Sequence, residues 1–182
     1  VCRESTRLTK KYPIFFIEKL KLSDFSGLML RKKYHELLVH LPRREMTVLI
    51  GARQTGKSTL LRQLSDTLTT SGETVLMLNL ERKDILVDLN AAPENLFKYL
   101  PGRSDKRVFA LIDEIQYLDD PTNFLKLLYD EHAGHLKLVV TGSSAFYIDR
   151  QFKDSLAGRK KIFELQTLDF EEFLMFQGQD QE

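Results

Sequence analysis

Eight consecutive residues carry the clearest chemistry in this chain. Gly51-Ala52-Arg53-Gln54-Thr55-Gly56-Lys57-Ser58 fits the spacing G-x-x-x-x-G-K-[ST] in full. Gly51 and Gly56 let the backbone curl tightly, at φ values that other residues avoid. The loop N–H groups from Gly51 to Thr59 then point inward and cradle phosphate oxygens. A helix that starts near Lys57 adds the positive end of its dipole. Lys57 is placed to reach the β- and γ-phosphates of a nucleoside triphosphate. The Ser58 hydroxyl is placed to hold Mg²⁺, and Thr59 to support the α-phosphate side. Arg53 reads as facing solvent or a partner domain. A chance match in a glycine loop is the bland alternative. It is disfavoured by an apolar run, Met46–Ile50, directly before the loop, and by leucines at helical spacing directly after it.

Three further segments have side chains suited to work beside such a loop. Val108–Ile112 is apolar and ends in Asp113 and Glu114. Buried carboxylates are costly unless they are used. In sheets of this kind ligands sit beyond the carboxyl ends of the strands. Asp113 is therefore expected to face the metal and Glu114 to act as general base on a water. Two exposed acids at a strand end are the alternative. Leu138–Ser144 reads L-V-V-T-G-S-S. Thr141 and Ser143 are the candidates for a hydroxyl near the γ-phosphate, although Thr, Gly and Ser also suit an ordinary strand-end turn. Leu156-Ala157-Gly158-Arg159 supplies an arginine that could stabilise transition-state charge, in its own subunit or a neighbour. A surface arginine beside Lys160 and Lys161 is the alternative there.

The elements that must position these residues follow from periodicity. Leu30, Tyr34, Leu37, Leu38 and Leu41 recur at helical spacing, and Pro42 stops the pattern. Strands are expected at Met46–Ile50, Val75–Leu80, Val108–Ile112, Leu136–Val140 and Ile162–Leu165. Leu60, Leu61, Leu64 and Leu68 give one helix that closes at Gly72. A looser helical stretch is expected around Pro93–Leu100. Asp120 and Pro121 open another helix, with Phe124, Leu127 and Leu128 inward. The last helix is expected to carry Phe170, Phe173 and Leu174 inward, with Asp169 near its start. Strands alternating with helices argue for an α/β fold with a parallel sheet. Near-continuous apolar strands are those buried on both faces.

Composition bounds the rest. The 182 residues suit one domain, or one domain with an appended segment; 42% are hydrophobic and 29% charged, ordinary for a globular chain. No run approaches the ~20 apolar residues of a membrane span. Cys2 is a lone cysteine, which excludes an internal disulfide and fits a reducing, cytoplasmic setting. The net charge is only +1. Residues 1–45 nevertheless hold 11 Lys/Arg against 5 Asp/Glu, so a basic excess sits in the N-terminal quarter. That is a solvated face or a surface for nucleic acid or another acidic partner. Residues 1–29 read as a basic irregular segment with Pro13 and Gly27 as breakers, residues 30–176 as the domain, and residues 177–182 as a tail. The first residue is Val rather than Met, which leads us to expect a fragment.

Taken in order, GARQTGKSTLL, VFALIDEIQ, LVVTGSSAF and LAGR with FELQTLDFEEFL resemble a prokaryotic family of AAA-type P-loop ATPases. In that family the ATPase domain is usually followed by a C-terminal domain of unknown function. The resemblance covers roughly residues 30–176. It implies a P-loop NTPase fold, with a parallel sheet of the additional-strand type in order 5-1-4-3-2 flanked by helices. It implies ATP and Mg²⁺, with Lys57 and Ser58 at phosphate and metal, Asp113 at Mg²⁺ and Glu114 as base. Arg159 matches the family's LAGR arginine, with no role implied. LRKKYHELLVHL is similar to the family's leading helix, which would pack near the nucleotide base. On that resemblance we expect the chain to be cut before the family's C-terminal domain, and the first ~27 residues differ from the family's usual start.

Three functional readings follow. The first is an ATPase that couples nucleotide state to a protein partner or DNA, through the basic N-terminal region or the missing domain, as a monomer or homo-oligomer. The second is a nucleotide-binding switch with negligible turnover in isolation. The third is a P-loop kinase, for which the LAGR region is a weak lid candidate; the Asp-Glu pair favours water over a hydroxyl acceptor. The residues alone leave adenine against guanine open, although no N-K-x-D segment is present.

Overall fold

The computed structural model describes residues 31–100, 102, 107–143 and 155–177. Cys2, Leu30, Pro13, Gly27, most of the basic N-terminal quarter and most of the tail lie outside these residues. Five parallel strands form the sheet: β1 (Met46–Gly51), β2 (Thr74–Asn79), β3 (Val108–Asp113), β4 (Leu136–Ser143) and β5 (Lys160–Glu164). Their order is β2-β3-β4-β1-β5, the expected 5-1-4-3-2 read from the other side. β1 and β4 are thus neighbours, and β3 flanks them, so three chemistry-bearing strands lie side by side at the centre.

Among the described residues five α-helices flank the sheet: α1 (Lys32–His40), α2 (Lys57–Thr70), α3 (Lys83–Ala91), α4 (Pro121–His132) and α5 (Phe170–Gln177). Strand alternation sends residues to two separate cores. Val108, Ala110 and Ile112 of β3 pack with Ile85, Leu89, Phe124, Leu125 and Leu128 on one face. Phe109 and Leu111 pack on the other with Tyr34, Leu37 and Leu38 of α1 and Leu60, Leu61, Leu64 and Leu68 of α2. The near-continuous apolar reading of β3 and β4 reflects this double burial. No helix among the described residues is long and apolar enough to cross a membrane.

Four expectations need correction. The helix after β2 is α3, at Lys83–Ala91, while Pro93–Tyr99 forms 3-10 turns instead. In α3 only Ile85 and Leu89 are fully buried, Leu86 is half-buried and Val87 points outward at 69% exposure, so its periodicity is faint. In α4 it is Leu125 rather than Leu127 that joins Phe124 and Leu128 in the core. Asp120 does cap that helix, accepting from Asn123 N at 2.9 Å. β5 begins two residues early, at Lys160, because an edge strand tolerates charged residues. In α5, Phe170 and Phe173 face outward, at 74% and 45% exposure, and among the side chains described there the buried one is Glu172. A polar anchor described below fixes that orientation against hydrophobicity.

The end of α1 is set by polar contacts of buried cations. Lys137, fully buried on β4, donates to the carbonyls of His40 (3.3 Å), Arg43 (3.2 Å) and Glu45. His40 Nδ1 lies 2.8 Å from Thr47 Oγ1. Burial, reinforced by the Lys137 ammonium, lowers the His40 pKa from 6.5 to about 4. The native state keeps the ring neutral where the unfolded chain would protonate it. Its stabilisation is therefore complete above about pH 6.5 and is lost as pH falls towards 4. Half-burial and solvent screening leave an effect on the order of 1 kcal/mol, a few degrees in Tm. His40→Gln is expected to flatten this part of the melting-temperature profile. An unchanged slope between pH 6.5 and 4 in the variant would remove His40 as its cause.

Candidate functional site

The carboxyl ends of the strands come together at one edge of the sheet. Gly51 pairs with Ser143, and Asn79 with Asp113. After Gly51 the chain turns through Ala52–Gly56 and enters α2 at Lys57. Gly56 takes φ +92° there and gives α2 no side-chain cap. The first N–H groups of α2 are thus left to water or a ligand. Gly51 is required for a different reason. A Cβ placed on it would lie 2.3 Å from the carbonyl oxygen of Leu165, which follows β5. The loop also holds itself. Lys57 is buried, and its ammonium donates to Gly51 O at 3.1 Å and Ala52 O at 2.7 Å. Thr55 Oγ1 donates to the same Ala52 carbonyl at 3.0 Å.

Beside the loop lies a cleft of about 520 Å³, lined by Arg53, Gln54, Gly56, Lys57, Ser58, Thr59, Glu81, Glu114 and Tyr117. Glu114 enters it from an unusual backbone. Its φ of 59° and ψ of 50° are left-handed, a conformation costing a non-glycine residue about 1–2 kcal/mol. Thr141 of β4 holds this corner. It is fully buried, its hydroxyl donates to Asp113 Oδ1, and it accepts from Glu114 N at 3.1 Å. Gln116 adds a second link. Its amide donates to the Glu114 carboxylate, and its oxygen accepts from Ser143 N at 3.3 Å. Between the two expected hydroxyls, Thr141 therefore touches the acids directly, and Ser143 joins them through its backbone and Gln116.

Asp113 is 3% exposed, and Ser58 faces the cleft. Among the described residues no group of three or more His, Cys, Asp or Glu could hold a metal by itself. One carboxylate and one hydroxyl beside a phosphate loop suit Mg²⁺, which keeps waters and takes oxygens from phosphates. The donor set fits that ion.

Arg159 is the sequence-selected residue that the fold keeps apart. It precedes β5, and the register Met46↔Lys160 puts it at the opposite edge of the sheet from Gly51. The length of β1, about 16 Å, separates the two ends. Its guanidinium forks onto Asp130 of α4, with Nε to Oδ1 at 2.7 Å and Nη2 to Oδ2 at 3.1 Å. Sequence reading missed Gln116, Glu81 and Tyr117. It also missed Arg31, which donates to Thr55 O in the loop at 2.7 Å. Gln116 stands two residues beyond Glu114, a signal that was available. Arg31 sits among other basic residues, with nothing local to single it out.

Residues 43–174 match the AAA domain family. A curated relative, an uncharacterized protein of Methanocaldococcus jannaschii, is 25% identical over 181 residues, 98% of this chain and 38% of that protein. The chain thus spans well under half the length of that relative. Among solved structures, the Aeropyrum pernix ORC1 protein in complex with DNA aligns with a TM-score of 0.53 and 15% identity, covering 83% of this chain and 50% of that one. Drosophila ORC bound to DNA aligns at 0.52 and 16% identity, covering 77% and 91%. At such identities these likenesses concern the fold.

Proposed function

The chain belongs to the AAA domain family, and on that premise we propose that it binds ATP with Mg²⁺ and hydrolyses it to ADP and phosphate. The observation that carries this reading is the meeting of the Gly51–Thr59 loop with Asp113 and Glu114 at one sheet edge. Loop N–H groups and Lys57 would bind the phosphates. Ser58 and Asp113 would hold Mg²⁺, which supplies neutralising charge when bound. Glu114 would take a proton from the water attacking the γ-phosphate in line. Thr141 fixes the acids relative to each other, and Ser143 is assigned to the γ-phosphate side. The hydrogen bond from Gln116 to Glu114 favours a second reading, a switch whose base is held back until something moves the end of β4.

Arg159 serves, in this reading, only the site of a neighbouring copy in a homo-oligomer, because its own loop is at the other edge. Nucleotide state would be coupled to a protein partner or to DNA, in the cytoplasm. The DNA named with the structural neighbours and the basic N-terminal quarter support DNA as the first partner to test. Phosphate release from ATP and Mg²⁺, followed over a range of protein concentrations, tests the assignment. Turnover per chain that rises with concentration is expected if Arg159 works between copies. Tight ATP binding without release at any concentration selects the switch, and absence of binding overturns both.

A further inference from the structure

The phosphate loop is also gripped from outside the cleft. Arg31, only 9% exposed, stands just before α1 and uses three nitrogens on three segments. Nη1 donates to Thr55 O at 2.7 Å, Nη2 to Gln166 O at 2.7 Å, and Nε to Glu172 Oε1 at 3.0 Å. Thr55 belongs to the loop, Gln166 follows β5, and Glu172 lies in the first turn of α5. Glu172 is as well anchored as its partner. Its Oε1 also accepts from Lys32 N at 2.9 Å. Its Oε2 accepts from Asp169 N at 3.2 Å, while Asp169 Oδ1 accepts from Glu172 N at 2.8 Å, a reciprocal cap on α5. Burial pushes the Glu172 carboxyl up, but the Arg31 guanidinium and the two backbone donors outweigh it and hold it below its ordinary value.

Geometry turns this grip into control of the loop. A trans peptide is planar, so its C=O and the following N–H point in opposite directions. Holding the Thr55 carbonyl towards Arg31 therefore aims the Gly56 N–H the other way. Gly56 lines the cleft, and the residues on either side of Thr55 both have left-handed φ, 64° at Gln54 and 92° at Gly56. This peptide plane is one that local propensity does not fix, and a buried guanidinium fixes it.

We propose that Arg31 and Glu172 are a positioning pair that holds the loop in its phosphate-binding shape while α5 is docked, coupling α5 to nucleotide affinity. The inference rests on the nucleotide-binding reading above. Lysine cannot replace the arginine, because a single ammonium does not present a planar fork to three acceptors. Coupling is reciprocal, so bound nucleotide must also tighten α5.

The test uses the whole chain and ADP as probe. Arg31→Lys and Glu172→Gln are expected to weaken ADP binding about tenfold. Lys32→Ala is the matched control. It breaks the exposed pairs with Asp169 (2.8 Å) and Glu171 (2.5 Å) across the same α1–α5 contact without touching the loop, and should leave the affinity unchanged. Added ADP should slow amide exchange over residues 169–177 in the wild type and not in Glu172→Gln, a response that mere loss of stability does not produce. If Arg31→Lys fails to fold, Glu172→Gln, which keeps the side-chain shape, carries the test. Unaltered ADP affinity in the folded variants overturns the proposal, as does equal weakening by Lys32→Ala. If wild type binds ADP and Lys57→Ala does not, the nucleotide reading stands whatever the pair does. If wild type binds no ADP, both fall.

Discussion

Glu114→Gln is expected to bind ATP as tightly as the wild type and to lose its turnover by about 10²–10⁴-fold, the usual contribution of a general base. The substitution keeps the size of the side chain, removes its charge and its ability to take a proton, and leaves one oxygen to accept from the Gln116 amide. The surroundings make this a clean experiment. The strained backbone at Glu114 is held by Thr141 through the main-chain N–H, which the variant retains. The Lys57 ammonium is engaged with the loop carbonyls of Gly51 and Ala52, and the Glu114 carboxylate with the Gln116 amide. Phosphate release and ATP affinity, measured on the same preparation, separate chemistry from binding. Turnover at the wild-type rate would remove Glu114 from the role of base. Loss of binding and turnover together would show that the carboxylate helps to shape the cleft instead.

What the sequence disclosed, and what it hid, divides along chain distance. The loop was legible because its chemistry is contiguous: Gly51, Gly56, Lys57 and Ser58 are fixed by one turn of backbone between a strand and a helix. Double burial made β3 and β4 legible as strands, since each side chain faces a core whichever way it points. The order of the strands came from the resemblance, not from periodicity. Side-chain direction in α5 was illegible. Phe170 and Phe173 look like a buried stripe, but Glu172 is drawn inward by Arg31, 141 residues away. Desolvating one charge is costly, but desolvating a pair with its remaining acceptors satisfied is tolerable, and no local pattern announces the distant partner. Arg159 was hidden in the same way. Only the register of β5 on β1 places it at the far edge of the sheet.

Lys57→Ala should show that the lysine supports both the ligand and the loop. As a phosphate partner alone, its loss is expected to weaken ATP about 10²-fold, equivalent to roughly 2.7 kcal/mol. The structure adds a second consequence. Lys57 is 5% exposed, and its ammonium donates to the carbonyls of Gly51 and Ala52. Hydrogen bonds to a charged group are worth about 1.5–3 kcal/mol each, partly offset by the desolvation of the lysine. The variant without nucleotide should therefore melt a few degrees below the wild type. Nucleotide at 100 times its dissociation constant stabilises a protein by about 2.7 kcal/mol. The wild type should gain that increment in a thermal shift with ADP, and the variant should gain almost none at the same concentration. An unchanged melting point without nucleotide, with affinity lost, would restrict the lysine to ligand binding. Unchanged affinity would mean that the phosphates bind elsewhere, because no other buried ammonium among the described residues lines this cleft.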